Sequence, residues 1–105
     1  MAEPDIELVR QQWADGRRRL DEARRDPARY ARLHGQVDLV TAELRRRVGQ
    51  SFTLGELARA YAGADDWARA LLYDAAREGE APPEAATAAD AAFHRYALGA
   101  TDYAP

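Results

Sequence analysis

A chain of 105 residues, 47% hydrophobic and 31% charged, has the size and balance of a single folded domain, 1–105, with one core. Its formal net charge of -3 argues against a protein that blankets nucleic acid, a task that needs surplus cations. Cysteine is absent, which removes disulfides, thiolate nucleophiles and cysteine-ligated zinc.

All the basic residues are arginine, a bias that resembles that of proteins from GC-rich bacteria and carries no functional information. The acidic opening MAEPDIELVR has no basic-then-apolar leader pattern, and no apolar run approaches the ~20 residues of a bilayer span, so no membrane association and a cytoplasmic location are expected.

Taken in chain order, Ile6, Val9, Trp13, Gly16, Leu20 and Ala23 recur at alternating steps of three and four, which marks one face of a helix over 5–25. Asp26-Pro27 ends it and opens the next, Asp as a cap and Pro in the first turn. A second stripe, Tyr30, Leu33, Val37, Val40 and Leu44, predicts a helix over 27–48. Folding the two back on each other places Trp13 opposite Val40 and Gly16 opposite Val37, so an antiparallel hairpin is expected. A mid-helix glycine costs about 1 kcal/mol against alanine, and the expected return is close approach of the second helix at Gly16.

Gly49 supplies a stop. Thr53 and Glu56 then form a capping box that starts a third helix, 53–62, with Leu54, Leu57, Ala58 and Tyr61 inward. Asp65 is the expected cap of a fourth, 65–78, with Trp67, Ala70 and Leu71 inward. The Pro- and Glu-rich stretch 79–86 reads as a loop. Thr87 and Asp90 suggest a second capping box, for a fifth helix over 87–98 carrying Ala91, Ala92, Phe93, Tyr96 and Leu98. Residues 100–105 form a tail expected to be mobile. Nothing alternates with period two, so the fold class is all-α, a helical hairpin packed with three shorter C-terminal helices.

The stretch TLGELARAY resembles the opening helix of bacterial helix-turn-helix regulators, and Ala58, Gly63, Ala68 and Leu71 approximate that pattern over 53–77. The helix that would enter the groove begins with Asp65-Asp66, which would face phosphate oxygens with like charge. Basic residues gather elsewhere. Arg17, Arg18, Arg19, Arg24, Arg25, Arg29 and Arg32 cluster toward the closed end of the hairpin, where an acidic or phosphate-rich partner would settle. Asp15, Asp21 and Glu43 stand four residues before Arg19, Arg25 and Arg47, a spacing that lets such residues pair among themselves.

Two histidines have a carboxylate one turn away, His34 with Asp38 and His94 with Asp90. They lie on different helices and no third ligand joins them, so no metal or cofactor is expected. Ser51 has no base at a suggestive spacing, and there is neither lysine nor a Gly-rich phosphate loop. The aromatic residues at helical spacing read as core, whereas Tyr103 stands alone in the tail as a docking element. Leu8, Leu39 and Leu72 fall off the seam. The expectation is a small non-catalytic adaptor or regulator working through a protein partner, with Arg17, Arg18, Arg24, Arg25, Arg29, Arg32 and Tyr103 as the contact residues and a second copy of the chain as one form of partner. DNA binding through 53–77 is the alternative.

Overall fold

Asp5 accepts a hydrogen bond from the Leu8 amide at 3.2 Å and caps α1 (Ile6–Glu22), whose last turn tightens into a 3-10 turn over Ala23–Arg25. In this computed structural model, which describes residues 4–103, Asp26 accepts from the Arg29 amide at 3.3 Å, and Pro27 opens α2 (Pro27–Val48). Gly49, at φ 87°, ends α2, a backbone conformation that glycine adopts without strain. α3 (Leu54–Tyr61), α4 (Ala64–Ala75) and α5 (Ala85–Ala97) follow, and no strand occurs among the described residues.

The two long helices pack together and with the C-terminal helices. The stripes are buried over most of their length, Trp13, Leu20, Leu33, Val37, Val40 and Leu44 being almost wholly shielded from solvent, whereas Ile6 at the start of the first is exposed. Their neighbours differ from the expected hairpin register. The most extensive contact of α1 is with α5, and its contact with α2 is slight. Trp13 stacks on Phe93 with ring centroids 5.6 Å apart, and the nearest foreign atoms at Gly16 belong to Asp90 and Ala91 rather than to Val37. Close approach at Gly16 is therefore real, but its beneficiary is α5.

Alanine explains why α5 takes the centre. Ala88, Ala89, Ala91, Ala92 and Ala97 are buried with Phe93, so this helix is apolar on nearly every side. With methyl groups for side chains it presents a thin rod, against which α1, α2, α3 and α4 all close. Truncating Trp13 or Phe93 in such a core costs about 3–5 kcal/mol.

Several local expectations shift. Thr87 does not cap α5, because the helix already begins at Ala85 with Glu84 at the cap position, and Asp90 turns instead toward α1 and α3. Gly63, not Asp65, precedes α4, whose inward residues are Ala64, Ala68 and Leu72, while Ala70 is exposed and the helix stops at Ala75. Leu72 thus joins the core; Leu8 and Leu39 stay exposed. The capping box at Thr53 forms, with its hydroxyl accepting from the Glu56 amide at 3.1 Å.

The loop before α5 and the tail after it are both tied down. Arg29 grips Glu84 with two hydrogen bonds, at 2.6 and 3.0 Å, and the Gln36 side chain accepts from the Glu84 amide. The Thr101 amide donates to the Phe52 carbonyl at 2.9 Å, the Asp102 carboxylate accepts from the Leu54 amide at 2.8 Å, and the Tyr96 hydroxyl donates to the Gly49 carbonyl. As far as Tyr103 the tail is docked rather than loose; its last two residues lie outside the described ones.

Candidate functional site

Arg10, Arg17 and Arg24 recur every seven residues, so α1 and its 3-10 extension carry them as one row along the flank facing α5. At ~1.5 Å per residue the row is about 21 Å long. Each end is backed by a tyrosine. The Arg10 guanidinium lies over the Tyr103 ring at 5.4 Å, and that of Arg24 lies over Tyr30 at the same distance.

Around Arg17 and Arg24 the row opens into a small crevice of about 140 Å³, walled also by Tyr30, His34 and Arg95. Three guanidinium groups converge there. Asp21 is the carboxylate among them, at 3.3 Å from Arg17 and 3.7 Å from Arg24, while Asp38 at the rim holds Arg95 at 2.8 Å and His34 at 3.5 Å. Arg17 and Arg24 remain 46% and 62% exposed, so water screens these pairs and an incoming carboxylate can exchange for Asp21 at little cost.

At the other end, between α1, the last turns of α5 and the tail, lies a groove of about 500 Å³ walled by Glu7, Arg10, Trp13, His94, Ala97 and Tyr103. His94 lines this groove from α5. Burial, and secondarily the nearby Arg17, hold its pKa below the usual imidazole range.

The expected contact residues are thus divided. Arg17 and Arg24 come together in the crevice. Arg18 pairs on its own helix with Asp15 and Glu22, and Arg25 is exposed at the end of the 3-10 turn. Arg29 is committed to Glu84, and Arg32 stands over a different hollow beside Gly35 and Leu39. Tyr103 sits at the far end of the row, under Arg10. Reasoning from sequence missed Arg10, Arg95, Tyr30 and the histidines as members; the seven-residue repeat of Arg10, Arg17 and Arg24 was the signal available.

The self-pairing spacing is borne out for Glu43, which binds Arg47 at 3.0 Å. Asp15 pairs with Arg18 instead of Arg19, because Arg19 reaches across to Asp90 at 3.3 Å. Asp90 also accepts from the Tyr61 hydroxyl at 2.6 Å; burial raises the pKa of both groups. His94 and Asp90 therefore form no pair resembling that of His34 and Asp38. No group of three or more His, Asp or Glu suited to a metal occurs among the described residues.

In the stretch resembling a helix-turn-helix, α3 and α4 are joined by Ala62-Gly63 alone. Ala58 and Ala68 are buried, and Asp65 and Asp66 are exposed at the start of α4, the former paired with Arg69 at 3.3 Å. No helix among the described residues is long and apolar enough to cross a membrane. Comparison of the chain with protein-family models, curated proteins and solved structures finds no match.

Proposed function

We propose that the protein is a non-catalytic docking module whose α1–α5 flank receives an acidic segment of a protein partner. The observation that carries this reading is the row Arg10, Arg17, Arg24 with Arg95 beside it, a local concentration of cations on a chain of net negative charge. A partner helix laid alongside, with carboxylates at the same seven-residue period, sets one acid against each arginine. Such a match steers encounter and fixes register, and it weakens with salt.

A helical peptide with glutamates seven residues apart tests it by fluorescence anisotropy. Binding that falls as salt rises and that drops at least about tenfold in the Arg17→Glu, Arg24→Glu double variant supports the reading. Arg18→Glu, on a side chain paired within its own helix, should leave affinity within about twofold. Equal losses from both variants, or no binding by the native protein, would retire it. Retardation of duplex DNA at low salt, relieved by Arg69→Ala, would point instead to the α3–α4 stretch.

A further inference from the structure

Asp21 serves two arginines and saturates neither. It takes the Nε–H of Arg17, shared between its two oxygens at 3.3 Å each, and stands 3.7 Å from Arg24, beyond hydrogen-bonding distance. Arg95 gives Asp38 a single hydrogen bond, at 2.8 Å, and Asp38 also faces His34. Among the described residues none of these three guanidiniums makes the two-pronged pair that Arg29 makes with Glu84. Each carries five N–H donors in a planar fork, so most of the donors around the crevice are left for water or a ligand. Charge points the same way. Three cations face two carboxylates, a local positive excess on a chain whose net charge is -3.

The rest of the lining fits a small anion on a short stem. Leu20, Val37 and Ala91 are buried and floor the crevice, so an ion resting on them loses water on one side and feels the arginines more strongly. At roughly 30 Å³ per water, its volume of about 140 Å³ holds roughly four or five oxygen-sized atoms, enough for a phosphate group but not for an aromatic ring as well. The guanidiniums also come from two sides, Arg17 and Arg24 from α1 and its 3-10 turn and Arg95 from α5. A flat carboxylate has two oxygens to divide among three arginines. A phosphate monoester has three, with nearly twice the charge.

We infer that this crevice takes the phosphate of a phosphoserine in the docked segment, one oxygen toward each of Arg17, Arg24 and Arg95, while Asp21 turns out to solvent. Asp21 is half-exposed, which leaves it room for that turn. The inference rests on the acidic-docking reading, since the segment lying along the row is what delivers the phosphate to Arg17 and Arg24.

The experiment places phosphoserine, glutamate or serine at the middle acid of the peptide with seven-residue spacing, the position that meets Arg17 whichever way the helix runs. Fluorescence anisotropy should show the phosphoserine peptide binding at least about fivefold tighter than the glutamate peptide, the worth of one further charge-assisted hydrogen bond, and the serine peptide weakest. The phosphorus NMR resonance should move when protein is added. Arg95→Gln, on a half-exposed side chain outside the row, should bring the phosphoserine and glutamate affinities within about twofold of each other. Arg17→Gln is the second variant and should give the same collapse. Inorganic phosphate should displace the phosphoserine peptide only far above the peptide's own Kd; displacement at comparable concentrations would mean a free-anion site and overturn the assignment to a segment. Equal, salt-sensitive binding of the phosphoserine and glutamate peptides, or a phosphoserine preference that survives both variants, removes the phosphate from the crevice while the docking reading stands. If none of the peptides binds, the docking reading has failed and the phosphate with it.

Discussion

Gly16 and Asp90 meet at a tight crossing: the backbones of α1 and α5 approach so closely there that a methyl group on Gly16 would collide with the Asp90 side chain and lie 2.8 Å from the Ala91 amide nitrogen. Gly16→Ala should therefore destabilise the protein by about 2–3 kcal/mol, the overpacking cost exceeding the ~1 kcal/mol gained in helix propensity. In a domain of this size that lowers Tm by roughly 10 °C or more. A variant that melts at or above the native temperature would show that the crossing has slack.

Tyr61 and Arg19 bring a hydroxyl and a guanidinium to Asp90 from α3 and α1. Removing the phenol hydroxyl in Tyr61→Phe leaves the buried carboxylate one donor short and should cost about 1–3 kcal/mol at pH 7. The loss should shrink under acid, where Asp90 takes up a proton and no longer needs two donors. Denaturant melts at pH 7 and pH 4 decide it, and a pH-independent loss would count against the carboxylate as Tyr61's partner.

The burial of His94 makes a different pH signature. Its folded pKa lies below the ordinary 6.5, so beneath pH 6.5 the unfolded chain binds a proton that the native state resists. Its contribution to stability is complete above pH 6.5 and fades as the pH falls toward the folded value. Arg17 reinforces the depression and Asp21 opposes it. In His94→Gln the slope of stability against pH just below 6.5 should flatten, as read from melts at closely spaced pH values. An unchanged slope would assign the proton to another group.

Glu84 titrates below the ordinary 4.5 because Arg29 holds its carboxylate through two hydrogen bonds, with Arg32 adding a smaller attraction. Arg29→Ala should move the Glu84 midpoint up toward 4.5, followed by carboxyl carbon NMR. The amides of the loop before α5 should exchange faster in the same variant. A midpoint that stays put would mean that Gln36 and the backbone alone fix Glu84.

Asp102 places its carboxylate on the first free amide of α3, beside the cap that Thr53 already supplies. Asp102→Ala should cost about 1 kcal/mol and loosen the hold on Tyr103, visible as a drop in its ring-shifted NMR signals. Stability equal to the native protein would show that water replaces the carboxylate without loss.

What could be read in the sequence was the part written in large apolar side chains. The stripes from Ile6 to Ala23 and from Tyr30 to Leu44 gave the two long helices nearly to the residue, and Asp26-Pro27 and Thr53 gave the caps of α2 and α3, because capping chemistry is local. The role of α5 was hidden, since alanine signals neither face nor burial. Asp90 illustrates the same limit: its spacing from Thr87 suggested a cap, whereas its partners Tyr61 and Arg19 come from α3 and α1. The basic row was half legible. Its period lay in the chain, but Arg95, His34 and Tyr30 joined it only through the way α2 and α5 pack.

The central position of α5 bears on how the molecule comes into being. As the chain emerges from the ribosome, at roughly 5–20 residues per second, α1 appears first while the partner on which its greasy stripe must lie is synthesised last of the five. Until then Trp13 and Leu20 have only α2 and α3 to rest on, so α1 reaches its native seat only once α5 has been made.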